Sequence, residues 1–333
     1  MKKLPLLMLL FIATQISKAQ ELESILLASK DDANKLIEAY MKPAMHGLIY
    51  GMSSGWYHTA KVHKKLGFDV TIGLNASFVP SKDEIINLAD LGLSNRIEFT
   101  SETSPTLAGS GDGASIRITE TYEGQTLTSP EILTLPSGVS KDLPLKAIPT
   151  PSIQVSLGLP HKFDVMLRVV PEVGSDDAKG KLLGVGLKKE LTSLLGPLDN
   201  LPLHVSLLAA YTTMDADYTM DGNTIPGQDQ RAKFKLNSLT VQAIGSLNFP
   251  IINVYGGLGY SGGSSSLKML GEYTLEYNGI TETIQDPVDL DFKASGLRAT
   301  LGARLSLGFF KIFGDYTLQE YNTLSAGMAF SFR

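Results

Sequence analysis

The chain closes on Tyr321-Asn-Thr-Leu-Ser-Ala-Gly-Met-Ala-Phe-Ser-Phe-Arg333, and this stretch decides the fold class. Side chains of a strand alternate between two faces. Leu324, Ala326, Met328, Phe330 and Phe332 therefore share one face, and Thr323, Ser325, Gly327, Ala329 and Ser331 share the other. One face suits hydrocarbon and the other does not. A bilayer is crossed by a tilted strand of about ten residues with this alternation, provided that every backbone group is paired within a closed barrel.

The same period recurs upstream. Phe68, Val70, Ile72, Leu74, Ala76 and Phe78 alternate with Asp69, Thr71, Gly73, Asn75 and Ser77. Residues 153–159 and 163–169 flank the turn Pro160-His-Lys162, and further alternating runs occupy 183–188, 203–212, 238–247, 252–261, 296–309 and 311–319. With a strand also read at 47–57, the count is about eleven segments. Single-chain bacterial barrels carry an even number, so the expectation is an antiparallel transmembrane β-barrel of about twelve strands, with roughly ten to fourteen possible. The region 81–150 holds Gly109-Ser-Gly-Asp-Gly113 and repeated prolines; at that length it is expected to be a folded loop, a plug or further strands.

The N-terminus reads as an export signal over 1–19: Lys2 and Lys3, an apolar run from Leu4 to Ile12, and Ser17-Lys-Ala19 before Gln20. The apolar run is too short for a membrane-spanning helix, which needs roughly 20 residues. The chain has no cysteine, which excludes disulfides, thiolate metal sites and a lipid-modified cysteine. Hydrophobic residues make up 43% and charged residues 19%, far from a helical membrane protein, yet a barrel needs an apolar residue only at every second position. The net charge of -5 gives no basic footprint for nucleic acid. The expected location is the cell outer membrane, reached by export through the inner membrane.

Between signal and barrel, Leu22, Ile25, Leu26, Ala33, Leu36, Ile37 and Tyr40 fall into a helical stripe, with Asp31-Asp32 suited to a helix start and Pro43 to its stop. A short N-terminal helix over 20–45 is expected, either a cap on the rim or a plug, followed by the barrel over 46–333. Short connections at 160–162, 248–251 and 308–310 alternate with long polar ones at 171–181, 214–231 and 270–291. Barrels keep short turns on the periplasmic side and long loops outside, which orients the chain.

Tyr50-Gly51, Gly55-Trp-Tyr-His-Thr-Ala60, Gly67-Phe-Asp-Val-Thr-Ile-Gly73, Gly158-Leu-Pro160 and the final Phe-Ser-Phe-Arg give the chain a resemblance to an uncharacterised outer-membrane barrel family of Bacteroidetes. The N-terminal segment followed by a barrel is similar, more loosely, to the layout of long-chain fatty-acid transporters of the FadL type. No motif matches their ligand-binding residues, so fatty-acid transport is an analogy of layout.

Parity points Asp69, Asp164, Arg168, Lys188, His204, Arg298, Arg304, Lys311 and Asp315 into the lumen. Both signs are present, which fits a network of ion pairs filling the barrel or a polar constriction that selects solutes. Small lumenal residues, Gly184, Gly186, Gly257, Gly302, Ser306, Gly327 and Ser331, leave space for water, a plug or a ligand. Tyr50, Trp56, Tyr57, Phe78, Tyr211, Tyr260, Phe309, Phe310, Tyr316 and Phe330 are expected in the interfacial girdles. Asp215, Asp217, Asp221, Asn223 and Asp229 have oxygens at spacings that could hold calcium, but they depart from the EF-hand pattern, and a solvated acidic loop is the default. None of the five histidines sits in a nucleophile motif. No catalysis, metal or cofactor is expected.

The functional expectation is a porin-like or FadL-like channel for passage or uptake of small solutes. The rival is a non-conducting structural or accessory barrel of a secretion or surface-binding system. The expected partners are outer-membrane lipid and lipopolysaccharide, the barrel-assembly machinery through the C-terminal strand, and a small-molecule solute. A helix docked in a sealed lumen favours the rival; a continuous water path favours transport.

Overall fold

Among the described residues, ten antiparallel strands hydrogen-bond into a closed ring: β1 Phe68–Ser77, β2 Ile148–Leu159, β3 Phe163–Gly174, β4 Ala178–Glu190, β5 Leu203–Thr219, β6 Gly227–Asn248, β7 Ile252–Tyr277, β8 Val288–Leu307, β9 Phe310–Leu318 and β10 Thr323–Phe332. β1 closes the ring, pairing with β2 on one side and with β10 on the other. A short strand, Ile280–Gln285, adds a hairpin to the far end of β7 outside the ring. The computed structural model describes residues 30–122, 125–128, 133–175, 178–194, 196, 202–220, 226–277 and 280–332. The export signal over 1–19, the front of the 20–45 segment, and Asp221 and Asn223 of the acidic loop lie outside the described residues.

The alternation of the sequence fixes which face is which. Outward side chains such as Leu258, 68% exposed, and Leu297, 81% exposed, form a broad apolar belt, whereas Asp69, Thr71, Ser206, Thr240 and Ser325 are buried inside. A water-soluble protein buries large apolar side chains and solvates polar ones. This inversion is the architecture of an outer-membrane β-barrel. β1, β9 and β10, with 10, 9 and 10 residues, match the bilayer thickness.

The other side of the ring is taller. β6, β7 and β8 run for 22, 26 and 20 residues, so this half of the wall projects beyond the lipid on the long-loop side. The inner face of β4 to β8 changes there from polar to apolar, presenting Leu182, Met214, Leu236, Leu267, Met269, Leu290 and Phe292. Against it packs helix α1, Lys30–Met52. The insertion between β1 and β2 forms small antiparallel pairings, among them Ile85–Asn87 with Thr103–Pro105 and Ile97–Phe99 with Ser115–Tyr122. Its Ile86, Leu88, Ile97, Leu107 and Ile116 join the same apolar cluster as α1, making a cap over the long-loop end.

The ten strands are the sequence-read segments without the first. The strand expected at 47–57 is instead the end of α1 followed by an irregular segment, which accounts for the odd count of eleven. Pro43 lies inside the helix and does not stop it. Every residue from Pro43 to Met52 is buried, so packing on all sides outweighs the local cost of proline in a helix. Gly47 and Gly51 allow the helix to lie against Ile148 and Thr150, where an added Cβ would come within 2.7 and 2.3 Å of their side chains.

Candidate functional site

After Met52 the chain does not leave the barrel. Residues 53–65 cross the lumen toward the short-turn end, where the Leu66 N–H donates to the Gly158 carbonyl at 2.8 Å and β1 begins. The lumenal residues identified by parity surround this segment at three levels.

At the first level, two arginines meet the end of α1. A helix C-terminus leaves carbonyls without intrahelical partners and carries a partial negative charge. Arg168 of β3 donates to the carbonyls of Met52 at 3.0 Å, Ser54 at 3.2 Å and Gly55 at 3.0 Å, and to Gln154 Oε1 at 3.1 Å. Its guanidinium also lies 4.0 Å from the ring centre of Trp56. Arg298 of β8 donates to the Ser53 carbonyl at 2.8 Å and to the hydroxyls of Ser53 and Ser54 at 3.1 and 3.0 Å. These contacts use the fork geometry of arginine, which a single ammonium cannot reproduce.

The second level is aromatic. Trp56, 1% exposed, lies against Gly184 and Gly186, where a Cβ would stand 3.0 Å from the indole. Tyr57 packs with Leu208, Ile244 and Tyr255, meets Tyr255 edge to face, and donates to Gln242 Oε1 at 3.2 Å. A Cβ on Gly257 would come within 2.5 Å of the Tyr57 hydroxyl. The Tyr255 hydroxyl donates to Asp315 Oδ2 at 2.9 Å. The small lumenal residues thus shape the wall to the occupant.

The third level is ionic and lies at the short-turn end. His63 is held between two carboxylates, its Nδ1 3.1 Å from Asp164 Oδ2 and its Nε2 3.1 Å from Asp69 Oδ2. Its backbone N–H donates to Asp164 Oδ1 at 2.9 Å, and Lys188 reaches Asp164 Oδ2 at 3.0 Å. His58 Nε2 stands 3.3 Å from Asp69 Oδ2, while Arg304 donates to His58 Nδ1 at 2.9 Å. Beside them His204 lies 2.9 Å from Glu190 Oε1, whose Oε2 accepts the Val62 N–H at 3.1 Å. Lys188 also donates to the Lys61 carbonyl at 3.1 Å, and Ser246 accepts the Ala60 N–H at 3.0 Å. Among the described residues, no group of acidic and imidazole side chains is arranged to hold a metal ion.

Eight of the nine residues expected in the lumen, Asp69, Asp164, Arg168, Lys188, His204, Arg298, Arg304 and Asp315, join this arrangement; Lys311 shares their parity and is half-buried. Their partners are corrections to the sequence reading. Trp56 and Tyr57, expected in an interfacial girdle, are inside the lumen. Tyr50 is buried at the long-loop mouth, stacked on Tyr321 and donating to Glu320 Oε2 at 2.8 Å. Of the two histidines read as flanking a basic turn, His63 bridges the two carboxylates of the third level, and His58 links Arg304 to Asp69. Two consecutive aromatics were the available signal, because a lipid-facing strand would turn either Trp56 or Tyr57 inward.

Residues 1–332 match the family of unknown function DUF6588, and the chain belongs to that family. No curated protein matches it. Among solved structures, it is similar to Ail, the attachment invasion locus protein of Yersinia pestis, solved with the heparin analogue sucrose octasulfate. That match has 9% identity over 81% of this chain and 100% of the other, at a TM-score of 0.27. It is also similar to the translocator domain of the autotransporter NalP from Neisseria meningitidis, with 10% identity, 80% and 88% coverage and a TM-score of 0.30. The outer membrane protease OmpT from Escherichia coli matches with 11% identity, 80% and 97% coverage and a TM-score of 0.28.

Proposed function

We propose that this protein is a non-conducting outer-membrane barrel, sealed by its own chain, whose role is to hold the cap at its long-loop end at the cell surface as a structural or accessory component. The observation that carries this reading is the pair of buried arginines, Arg168 and Arg298, fixed on the backbone of residues 52–55 in the lumen. A ten-stranded barrel is wider than the eight-stranded kind that wall side chains fill alone, so it needs an occupant or conducts. Here the occupant is bonded to the wall at each of the three levels described above. The role proposed is not enzymatic, because the ring nitrogens of His58 and His63 are already engaged with Asp69, Asp164 and Arg304.

Planar-bilayer recording of the refolded chain tests the reading. The full chain is expected to insert without steady conductance, and the double variant Arg168→Ala, Arg298→Ala to show flickering openings as residues 53–65 loosen. A variant lacking only 21–41 is expected to stay silent, because the seal is made by residues beyond 41. Steady conductance from the full chain would replace this reading with passage of small solutes.

A further inference from the structure

The tall wall ends at β8, and the upper part of that strand has a neighbour on one side only. β8 pairs with β7 from Val288 to Leu305 without a break, but β9 stops at Leu318, opposite Ala299. The Ser306 N–H donates to the Ile251 carbonyl, so the even-numbered residues of β8 bond to β7 and the odd-numbered ones turn their N–H and C=O groups the other way. Above Ala299 those residues are Asp289, Asp291, Lys293, Ser295 and Leu297. Among the described residues, no group donates to or accepts from the backbone of these five. They are exposed, Leu297 to 81%, while Val288, Leu290, Phe292 and Ala294 between them are buried in the apolar cluster with α1. The result is a straight, supported edge about 27 Å long on the long-loop side, beginning where the low side of the ring stops.

The chain blunts the edges at the other split in its wall. β2 and β3 pair only as far as Gln154 and Arg168, and both strands continue outward, to Ile148 and Gly174. The Gly158 N–H donates to the Gly67 carbonyl, so even-numbered residues of β2 bond to the β1 side and odd-numbered ones face β3. Two of the latter, Pro149 and Pro151, have no N–H to offer. β3 carries Pro171 and a bulge between Val170 and Val173. Prolines and bulges are devices that keep a sheet edge from pairing with another chain. From Val288 to Leu297, β8 has neither.

We propose that the β8 edge from Asp289 to Leu297 accepts an extended segment of a partner polypeptide as an added antiparallel strand, continuing the line of β9 at the cell surface. A row of unpaired donors and acceptors is matched by another backbone. Side chains select which one. Asp289 is already engaged by Lys268 at 2.9 Å, which leaves Asp291, Lys293, Ser295 and Leu297 as the outward row. The partner's outward row therefore places a cation opposite Asp291, an anion opposite Lys293 and an apolar residue opposite Leu297. A second copy does not fit, because copies in one membrane carry β8 in the same direction, whereas this ring pairs its strands antiparallel. The proposal rests on the accessory reading given above and names its class of partner; strand addition does not depend on whether the lumen conducts, so its failure and that of the seal are read separately.

The test selects a displayed library of peptides of about twelve residues on the folded full chain in neutral detergent micelles. Peptides of alternating pattern, with a cation placed for Asp291, are expected to be enriched. The variant Asp291→Pro, Lys293→Pro removes two unpaired N–H groups and no bond to β7, and is expected to bind an enriched peptide at least about tenfold more weakly. Asp291→Ala, Lys293→Ala keeps both N–H groups and is expected to retain more of the binding. Methylating alternate amide nitrogens of the peptide leaves the protein unaltered; one alternate set is expected to abolish binding and the other to spare it. No enrichment, equal binding by the proline variant, or equal effects of the two methylated sets would each overturn the proposal. Dimers of the full chain in vesicles that the prolines dissolve would assign the edge to a second copy and overturn it as well. Heat-dependent gel mobility confirms folding of each variant.

Discussion

At the residue scale, the seal of the lumen turns on Arg168. Its guanidinium satisfies three carbonyls at the end of α1, one side-chain amide and the face of Trp56, all within the wall. Removing it leaves buried acceptors unpaired, at a cost of about 3 kcal/mol. Arg168→Ala is therefore expected to lower the unfolding midpoint of the folded barrel in urea, and Arg168→Lys to recover less than half of the loss, because an ammonium has no planar fork. An unchanged midpoint in Arg168→Ala would show that these contacts are not formed. His63 supplies a second test. With each ring nitrogen about 3.1 Å from a carboxylate, it bridges Asp164 and Asp69 as an imidazolium. A double-mutant cycle of His63→Ala with Asp164→Asn is expected to give a coupling of about 1–3 kcal/mol, and additivity would argue against the bridge.

At the scale of elements, the strands were legible and the occupant was not. Period-two alternation marks every wall strand because lipid and lumen impose opposite demands on successive side chains. The same parity pointed Asp69, Arg168, Arg298 and the other candidates inward. Most of their partners come from residues 52–63, in a stretch that lacks any simple period. The end of α1 is buried on all sides, so it presents no polar stripe, and its dense apolar content resembles a strand. The irregular run from Ser53 onward is shaped by the wall rather than by its own backbone pattern. This fit is testable at two glycines. Gly186→Val drives a side chain toward Trp56, where the first added carbon already stands 3.0 Å from the ring, and is expected to destabilise by about 2 kcal/mol. Gly245→Val on the outward face of β6 meets only the His204 carbonyl at 3.9 Å and is expected to be tolerated. Equal effects on the urea midpoint would show that the lumenal glycine is not packed against the indole.

At the scale of the whole molecule, one chain supplies both the barrel and what fills it. The low side of the ring ends near the lipid surface, while the tall side continues outward and gives α1 and the cap an apolar wall to pack on. The chain holds a single tryptophan, Trp56, which reports directly on the central claim. Its fluorescence in folded, vesicle-inserted protein can be challenged with brominated lipid from the membrane side and with iodide from the aqueous side. The sealed lumen predicts weak quenching by both, with a blue-shifted emission that persists until unfolding. Strong quenching by brominated lipid would put Trp56 in the interfacial girdle, and strong quenching by iodide would put it in an open aqueous pore; either result would contradict the account.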